Sequence, residues 1–274
     1  MKFTLVLLIP VIFFSACSMN NVTTDDSLKT YFDEHQVDGT FAMLDNGTNE
    51  FKVYNLSRFR DSSYLPASTF KIINSLIGLQ TGKIINDSMI INWDGVDRGR
   101  SECNRDMNMY NAFRISCPSW YMEMARRIGK DTMQIWLDSL GYGKNESGQF
   151  KIRDNLDTFW LDNSVKITPD EQLGLVKKLY FNQLPFHRIN QDIVKNAMLF
   201  ENDANYKLSY KTGWGIKENG NQLGWIIGWI EENRHPYFFV MNIESPDKTI
   251  DMPAIRIKML KNILTQYEFF KGIK

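Results

Sequence analysis

Pro66-Ala67-Ser68-Thr69-Phe70-Lys71-Ile72-Ile73-Asn74-Ser75-Leu76-Ile77-Gly78-Leu79-Gln80 is the stretch whose reading decides the fold. Ile72, Ile73, Leu76 and Ile77 recur at helical spacing and Gly82 closes the segment, which predicts a buried helix from Ser68 to about Gln80. Upstream, Thr40-Phe41-Ala42-Met43-Leu44 and Phe51-Lys52-Val53-Tyr54 flank Asp45-Asn46-Gly47-Thr48, a hairpin signal. Downstream, the region from about Trp93 to Phe200 reads as mostly helical, with two helices expected within 119–140. A further helix start stands at Thr168-Pro169-Asp170-Glu171, where a capping box meets a proline at the first helical position. Three strand-like runs follow, Lys207 to Lys211, Leu223 to Ile230 and Tyr237 to Ile243, before a last helix from about Ala254 to Gln266. Strands at both ends of the chain around a long helical insertion predict an α+β fold: one antiparallel sheet flanked by helices, with an inserted helical subdomain. No repeat, low-complexity stretch or long linker divides residues 29–274, so one domain with two lobes and a cleft is expected.

At 274 residues, 43% of them hydrophobic and 23% charged, the chain can bury a large core, and the disordered and fibrous classes drop out. Lys2, the apolar run Phe3 to Phe14 and Ser15-Ala16-Cys17 read as a signal peptide over 1–16, too short for a stable bilayer anchor. Phe14-Ser15-Ala16-Cys17 also resembles a bacterial lipobox, in which Cys17 becomes the lipidated first residue. The chain is then expected in the periplasm, tethered to the membrane through Cys17, or simply secreted if the signal is an ordinary cleaved one. The polar residues 17–28 suit a tether. Removing 1–16 takes away only Lys2 and leaves 31 basic against 32 acidic side chains, which argues against nucleic acid as a partner. Cys103 and Cys117 remain, either as a disulfide or as two buried thiols.

The three histidines, His35, His187 and His235, sit near no cysteine or carboxylate pattern that suits a metal, so no metal is expected. No Gly-x-Ser-x-Gly elbow occurs either, and a base that activates a serine must be something other than histidine. Ser68-Thr69-Phe70-Lys71 supplies one, because residues three apart on a helix share a face. A serine at the helix start also meets free backbone N–H groups and the positive end of the dipole, a setting that stabilises an oxyanion. The spacing alone is weak, since Ser245-Pro246-Asp247-Lys248 repeats it in a turn after a strand. Independent support comes from Lys211-Thr212-Gly213 before Trp214, about 140 residues downstream of Lys71. A cation, a hydroxyl and a glycine at a strand end suit an anionic acyl substrate lying along a strand edge.

The two motifs in this order resemble those of the penicillin-recognising serine enzymes, and the chain resembles their class D, or oxacillinase, group. The likeness runs from Phe41 to the last helix through Pro66 to Lys71, Trp93-Asp94-Gly95, Ala125-Arg126-Arg127-Ile128-Gly129, and Phe159-Trp160-Leu161 on to Ile167-Thr168-Pro169-Asp170-Glu171-Gln172. It implies a β-lactamase/transpeptidase-like fold and hydrolysis of β-lactams through an acyl-enzyme on Ser68. It implies that Lys71 is carboxylated by carbon dioxide, as the general base of both half-reactions, with no other cofactor. Ser116 matches the second-motif serine, here Ser116-Cys117-Pro118, and its other reading is a helix N-cap. Phe70, Pro118, Trp160 and Leu161 are expected around the carbamate, with the Trp160 N–H holding one oxygen. The oxyanion hole falls to the N–H groups of Ser68 and Trp214, and Arg256 with Lys211 and Thr212 to the substrate carboxylate. Pro118 replaces a valine, and Tyr142-Gly143-Lys144 replaces Tyr-Gly-Asn, so the likeness breaks at two places. No Ser-Asp-Asn occurs, which counts against class A.

Two rival readings share Ser68 and Lys71. A penicillin-binding peptidase deacylates slowly, and the Trp160 segment argues against it. The sensor domain of a β-lactam receptor stays acylated and follows a multi-span membrane portion, where residues 1–16 here read as a cleavable signal.

Overall fold

In the computed structural model, which describes residues 21–145 and 148–274, the chain opens with β1 (Val22–Thr24), α1 (Lys29–Glu34), the hairpin β2 (Asp38–Asp45) and β3 (Glu50–Tyr54), and α2 (Leu56–Asp61). A 3₁₀ turn, Ala67–Phe70, runs straight into α3 (Lys71–Gln80). The insertion follows: β4 (Ile90–Ile91), β5 (Met107–Asn108), α4 (Met109–Arg114), α5 (Pro118–Ile128), α6 (Lys130–Leu140), β6 (Lys144–Asn145), β7 (Gly148–Gln149), α7 (Pro169–Tyr180) and α8 (Arg188–Met198). The chain returns through β8 (Leu199–Asn202), β9 (Tyr206–Ile216), β10 (Gln222–Glu232) and β11 (His235–Ser245) to α9 (Met252–Gln266).

Seven strands form one sheet in the order β1-β3-β2-β11-β10-β9-β8. All neighbours are antiparallel except β1, which lies parallel to β3. The antiparallel sheet expected from the sequence is therefore mixed at one edge. The same edge corrects the tether expected over 17–28, because from Asn21 onward the chain belongs to the domain: Val22 pairs with Phe51 and Leu28 is fully buried. Backbone pairing is indifferent to side-chain polarity, so a short polar edge strand leaves little trace in a hydrophobicity pattern. Cys17 and the signal peptide expected over 1–16 lie outside the described residues.

Alternation along the central strands gives the sheet two apolar faces. Ala42, Leu44, Trp225, Ile227, Phe238 and Val240 face the insertion and α3, whereas Phe41, Met43, Ile226, Ile230, Phe239 and Met241 face α1 and α9. Every residue of α3 from Lys71 to Leu79 is buried, which explains an apolar pattern that extends around the helix. Thr168 caps α7 as its sequence predicts: Glu171 N donates to Thr168 Oγ1 at 3.1 Å, and Thr168 N donates back to Glu171 Oε2 at 2.9 Å. Cys103 and Cys117 are joined as a disulfide with Cα atoms 5.7 Å apart, which closes the alternative of two free thiols. Among the described residues no helix is long and apolar enough to cross a membrane.

Candidate active site

The first site residue stands where α3 begins. Side chains three apart eclipse in a 3₁₀ turn, so Ser68 lies directly over Lys71, and Lys71 Nζ donates to Ser68 Oγ at 2.6 Å. Ser68 therefore precedes the α-helix by one tight turn rather than opening it. Ala67, just before it, holds a left-handed φ of 48°, a strained value for a residue with a Cβ. The surroundings over-determine that turn. Ala67 N donates to Trp160 O at 3.0 Å, Trp225 Nε1 to Leu65 O at 2.9 Å, and Thr69 Oγ1 to Pro66 O at 2.6 Å while receiving Gln172 Nε2 at 2.7 Å. Gly213 of β9 completes the seat, since a Cβ there would stand 3.2 Å from both Pro66 O and Thr69 Cγ2. The glycine of Lys211-Thr212-Gly213 thus lets the strand approach the nucleophile's own turn.

Lys71 is fully buried, and desolvation, reinforced by the positive charge of Arg100, pulls its pKa down to about 7. Near neutral pH a large share of it is the free amine, the form that accepts a proton or adds carbon dioxide. The Tyr121 ring lies 5.4 Å from Nζ. On the neighbouring side Phe70 stacks on Trp160 with ring centres 5.2 Å apart, and Phe159 and Tyr142 close around Phe70. Trp160 is fully buried, yet its Nε1 has no hydrogen-bond partner among the described residues. An unsatisfied buried N–H is rare and unfavourable, and it is what a donor held ready for an anionic oxygen looks like. The residues present fit a carbamate on Lys71 on both counts, an amine that can be neutral and a free donor. Leu161 is half-buried at the end of this segment. Pro118 is N1 of α5, where the missing N–H is one the helix leaves unpaired anyway, so the departure from valine is tolerated by the backbone.

Ser116 does not cap α5, whose N-cap is Cys117. It adopts φ 57° in the turn between α4 and α5, and Lys211 Nζ donates to its Oγ at 2.9 Å. Lys211 is buried, also donates to Thr212 O at 3.1 Å, and lies 5.3 Å from the Phe113 ring. Its pKa is driven well below the ordinary lysine value by burial first, then by the positive charges of Lys71, Arg256 and Arg100. Four basic groups thus converge, and an anion bound among them would hold them in their charged forms. Among the described residues the sheet gives β9 no strand partner beyond Ser209 on its β8 side, so the edge carrying Lys211, Thr212 and Gly213 is open to an added strand-like substrate. Thr212 is half-buried there and Trp214 is exposed, its Nε1 held by Gln222 Oε1 at 2.9 Å. Arg256 is buried and its Nη1 donates to Gly213 O, while its Nε has no partner among the described residues. Burial brings its pKa down to about 10.

Sequence reasoning missed Tyr121, Gln172 in its role on Thr69, and Arg100, whose guanidinium lies against Ser116. Tyr121 carried the helical spacing of a core aromatic, and an arginine in a polar loop carries no signal at all. The side chain of Lys144 lies outside the described residues. Among those described, no three His, Cys, Asp or Glu side chains gather as a metal site would.

Residues 23–265 match the penicillin binding protein transpeptidase domain. The chain is 35% identical to the β-lactamase OXA-48 of Klebsiella pneumoniae over 240 residues, 88% of this chain and 87% of that one. Among solved structures, a class D β-lactamase from Nostoc shares 35% identity at a TM-score of 0.81, covering 88% of this chain and 98% of the other. One from Sebaldella termitidis ATCC 33386 shares 28% identity at a TM-score of 0.84, covering 91% and 98%.

Proposed function

This chain belongs to the class D β-lactamases, serine hydrolases with the transpeptidase fold, and on that premise we propose that Ser68 opens the β-lactam ring with Lys71 as its base. The chain hydrolyses β-lactams. The observation that carries the assignment of roles is the 2.6 Å contact between Ser68 Oγ and an amine that burial holds at a pKa of about 7. Ser68 Oγ forms an ester with the lactam carbonyl carbon as its proton leaves toward the Lys71 terminus. The ring C–N bond breaks, and Ser116 Oγ, held by Lys211 Nζ, passes a proton to the leaving nitrogen. The N–H groups of Ser68 and Trp214 receive the carbonyl oxygen, and the Arg256 guanidinium, with Lys211 and Thr212, holds the substrate carboxylate. Water then cleaves the ester. A carbamate formed from carbon dioxide on Lys71 Nζ supplies one base for both half-reactions, with Trp160 Nε1, Phe70, Leu161 and Pro118 around it. We also propose that residues 1–16 are a leader and that Cys17 carries lipid on the periplasmic side of a membrane. The Cys103–Cys117 disulfide supports an oxidising compartment.

A chromogenic cephalosporin mixed with the purified protein, with and without bicarbonate, tests the mechanism. Many products per enzyme and stimulation by bicarbonate are expected, together with a carbamate carbon signal from labelled bicarbonate that Trp160→Phe weakens. One product per enzyme would place the chain with the sensors and peptidases, and full activity in Lys71→Ala would remove the lysine from the mechanism.

A further inference from the structure

Ser116 needs something to hold it, because a serine at φ 57° is outside the comfortable backbone range and its hydroxyl must stay on Lys211. Two restraints from one short segment meet at its turn. Arg100 spreads its guanidinium over two successive carbonyls, Nη1 to Ser116 O at 3.2 Å and Nη2 to Ile115 O at 3.1 Å. Glu102 fixes the same guanidinium from the other side, accepting Nε at 3.0 Å and Nη2 at 2.6 Å. Cys103, whose N–H closes a turn on Arg100 O at 2.9 Å, is bonded through sulfur to Cys117, the residue after Ser116. The segment 100–103 therefore grips 115–117 at three consecutive residues, twice by hydrogen bonds and once covalently.

We propose that Arg100 and the Cys103–Cys117 disulfide form a positioning clamp that holds Ser116 in its left-handed conformation, with its hydroxyl on Lys211, for proton transfer to the leaving nitrogen. Neither part of the clamp touches the reacting atoms. The proposal rests on Ser116 as the proton relay. Arg100 has a second effect through its charge, which adds to desolvation in keeping the amine of Lys71 neutral. The other groups around that amine are Ser68 beside it, the Tyr121 ring on α5 and Lys211 on β9, which itself feels the charge of Lys71.

The geometry and the charge separate in two variants. Arg100→Lys keeps the charge but offers a point donor where two carbonyls need a fork, so kcat falls about tenfold or more while the acid limb of the kcat/KM profile stays in place. Arg100→Gln loses both, so kcat falls likewise and the acid limb moves to higher pH. Cys103→Ser releases the same turn and lowers kcat in the same direction. Combined with Arg100→Lys it does less additional damage than the two losses multiplied, because both act on one turn. Melting curves establish that each variant is folded; if Arg100→Gln does not fold, Arg100→Lys and Cys103→Ser carry the test. Ser116→Ala is the reference. If it loses turnover while both Arg100 variants and Cys103→Ser stay within about twofold of the parent kcat, the clamp is refuted and the relay stands. Full recovery of kcat in Arg100→Lys also refutes it, leaving charge alone. If Ser116→Ala turns over normally, the relay fails and the clamp has no function to serve.

Discussion

Ser68-Thr69-Phe70-Lys71 and Ser245-Pro246-Asp247-Lys248 share one spacing and nothing else. In the first, a 3₁₀ turn eclipses the two side chains, and α3 carries the lysine into the core until burial lowers its pKa to about 7. In the second, β11 ends at a buried Ser245, the chain runs on through a non-helical turn, and Lys248 is exposed. Ser245 Oγ is occupied with its own turn, receiving Asp247 N at 3.1 Å. A spacing becomes a catalytic pair when the backbone aligns the side chains and the environment removes the charge of one of them. Both conditions are tertiary.

The largest effect expected from breaking the comparison is on turnover. Ser68→Ala lowers kcat about 10⁴-fold or more, whereas Ser245→Ala leaves kcat unchanged once the folded fraction is matched by a melting curve. Loss of β-lactam turnover in Ser245→Ala would mean that the second copy has a part in the chemistry. A smaller effect is on pH. The buried amine accepts a proton only when neutral, so activity falls as the pH drops through about 7, and the limb is read from kcat/KM between pH 5 and 9. Lys248→Ala leaves the limb where it is; a shift in that variant would contradict the assignment of the limb to Lys71.

The smallest effect is on stability, and its sign is opposite to that on activity. The unfolded chain binds the Lys71 proton up to about pH 10.5, and the folded chain releases it near 7. Between these values the unfolded state carries the extra proton, so folding stability rises with pH across that window, and at or below pH 7 the buried lysine is destabilising. Lys71→Met, which keeps the stem and removes the charge, is expected to stabilise the fold at pH 7 by about 1–3 kcal/mol while abolishing turnover. Denaturant unfolding of this variant beside Lys248→Met, for which no change is expected, measures the difference. A fall in stability for Lys71→Met would show that the fold depends on the Lys71–Ser68 contact.

Much of this was legible in the residues themselves. Long periodic segments such as α3, α7 and the three strands β9 to β11 announce themselves, because burial of one face repeats at the period of the backbone. The edge strand β1 did not, since pairing uses backbone groups that every residue carries. Ser68, Lys71 and Lys211 were legible through motifs. Arg100 was not, because nothing in a polar loop tells that a guanidinium will reach two carbonyls 15 and 16 residues away.

By itself the sequence determined the long periodic elements, the family and the chemical types brought to the reaction, for these follow from local periodicity and from the order of short motifs. Only the tertiary structure showed what physically separates two identical spacings, an eclipsed and buried pair from an exposed turn. It also decided that the buried Trp160 N–H finds no partner among the described residues, that Lys71 can shed its charge, and that a disulfide and an arginine converge on Ser116. The reason is that a pKa, an unsatisfied donor and a strained backbone are properties of an environment, assembled from segments far apart in the chain.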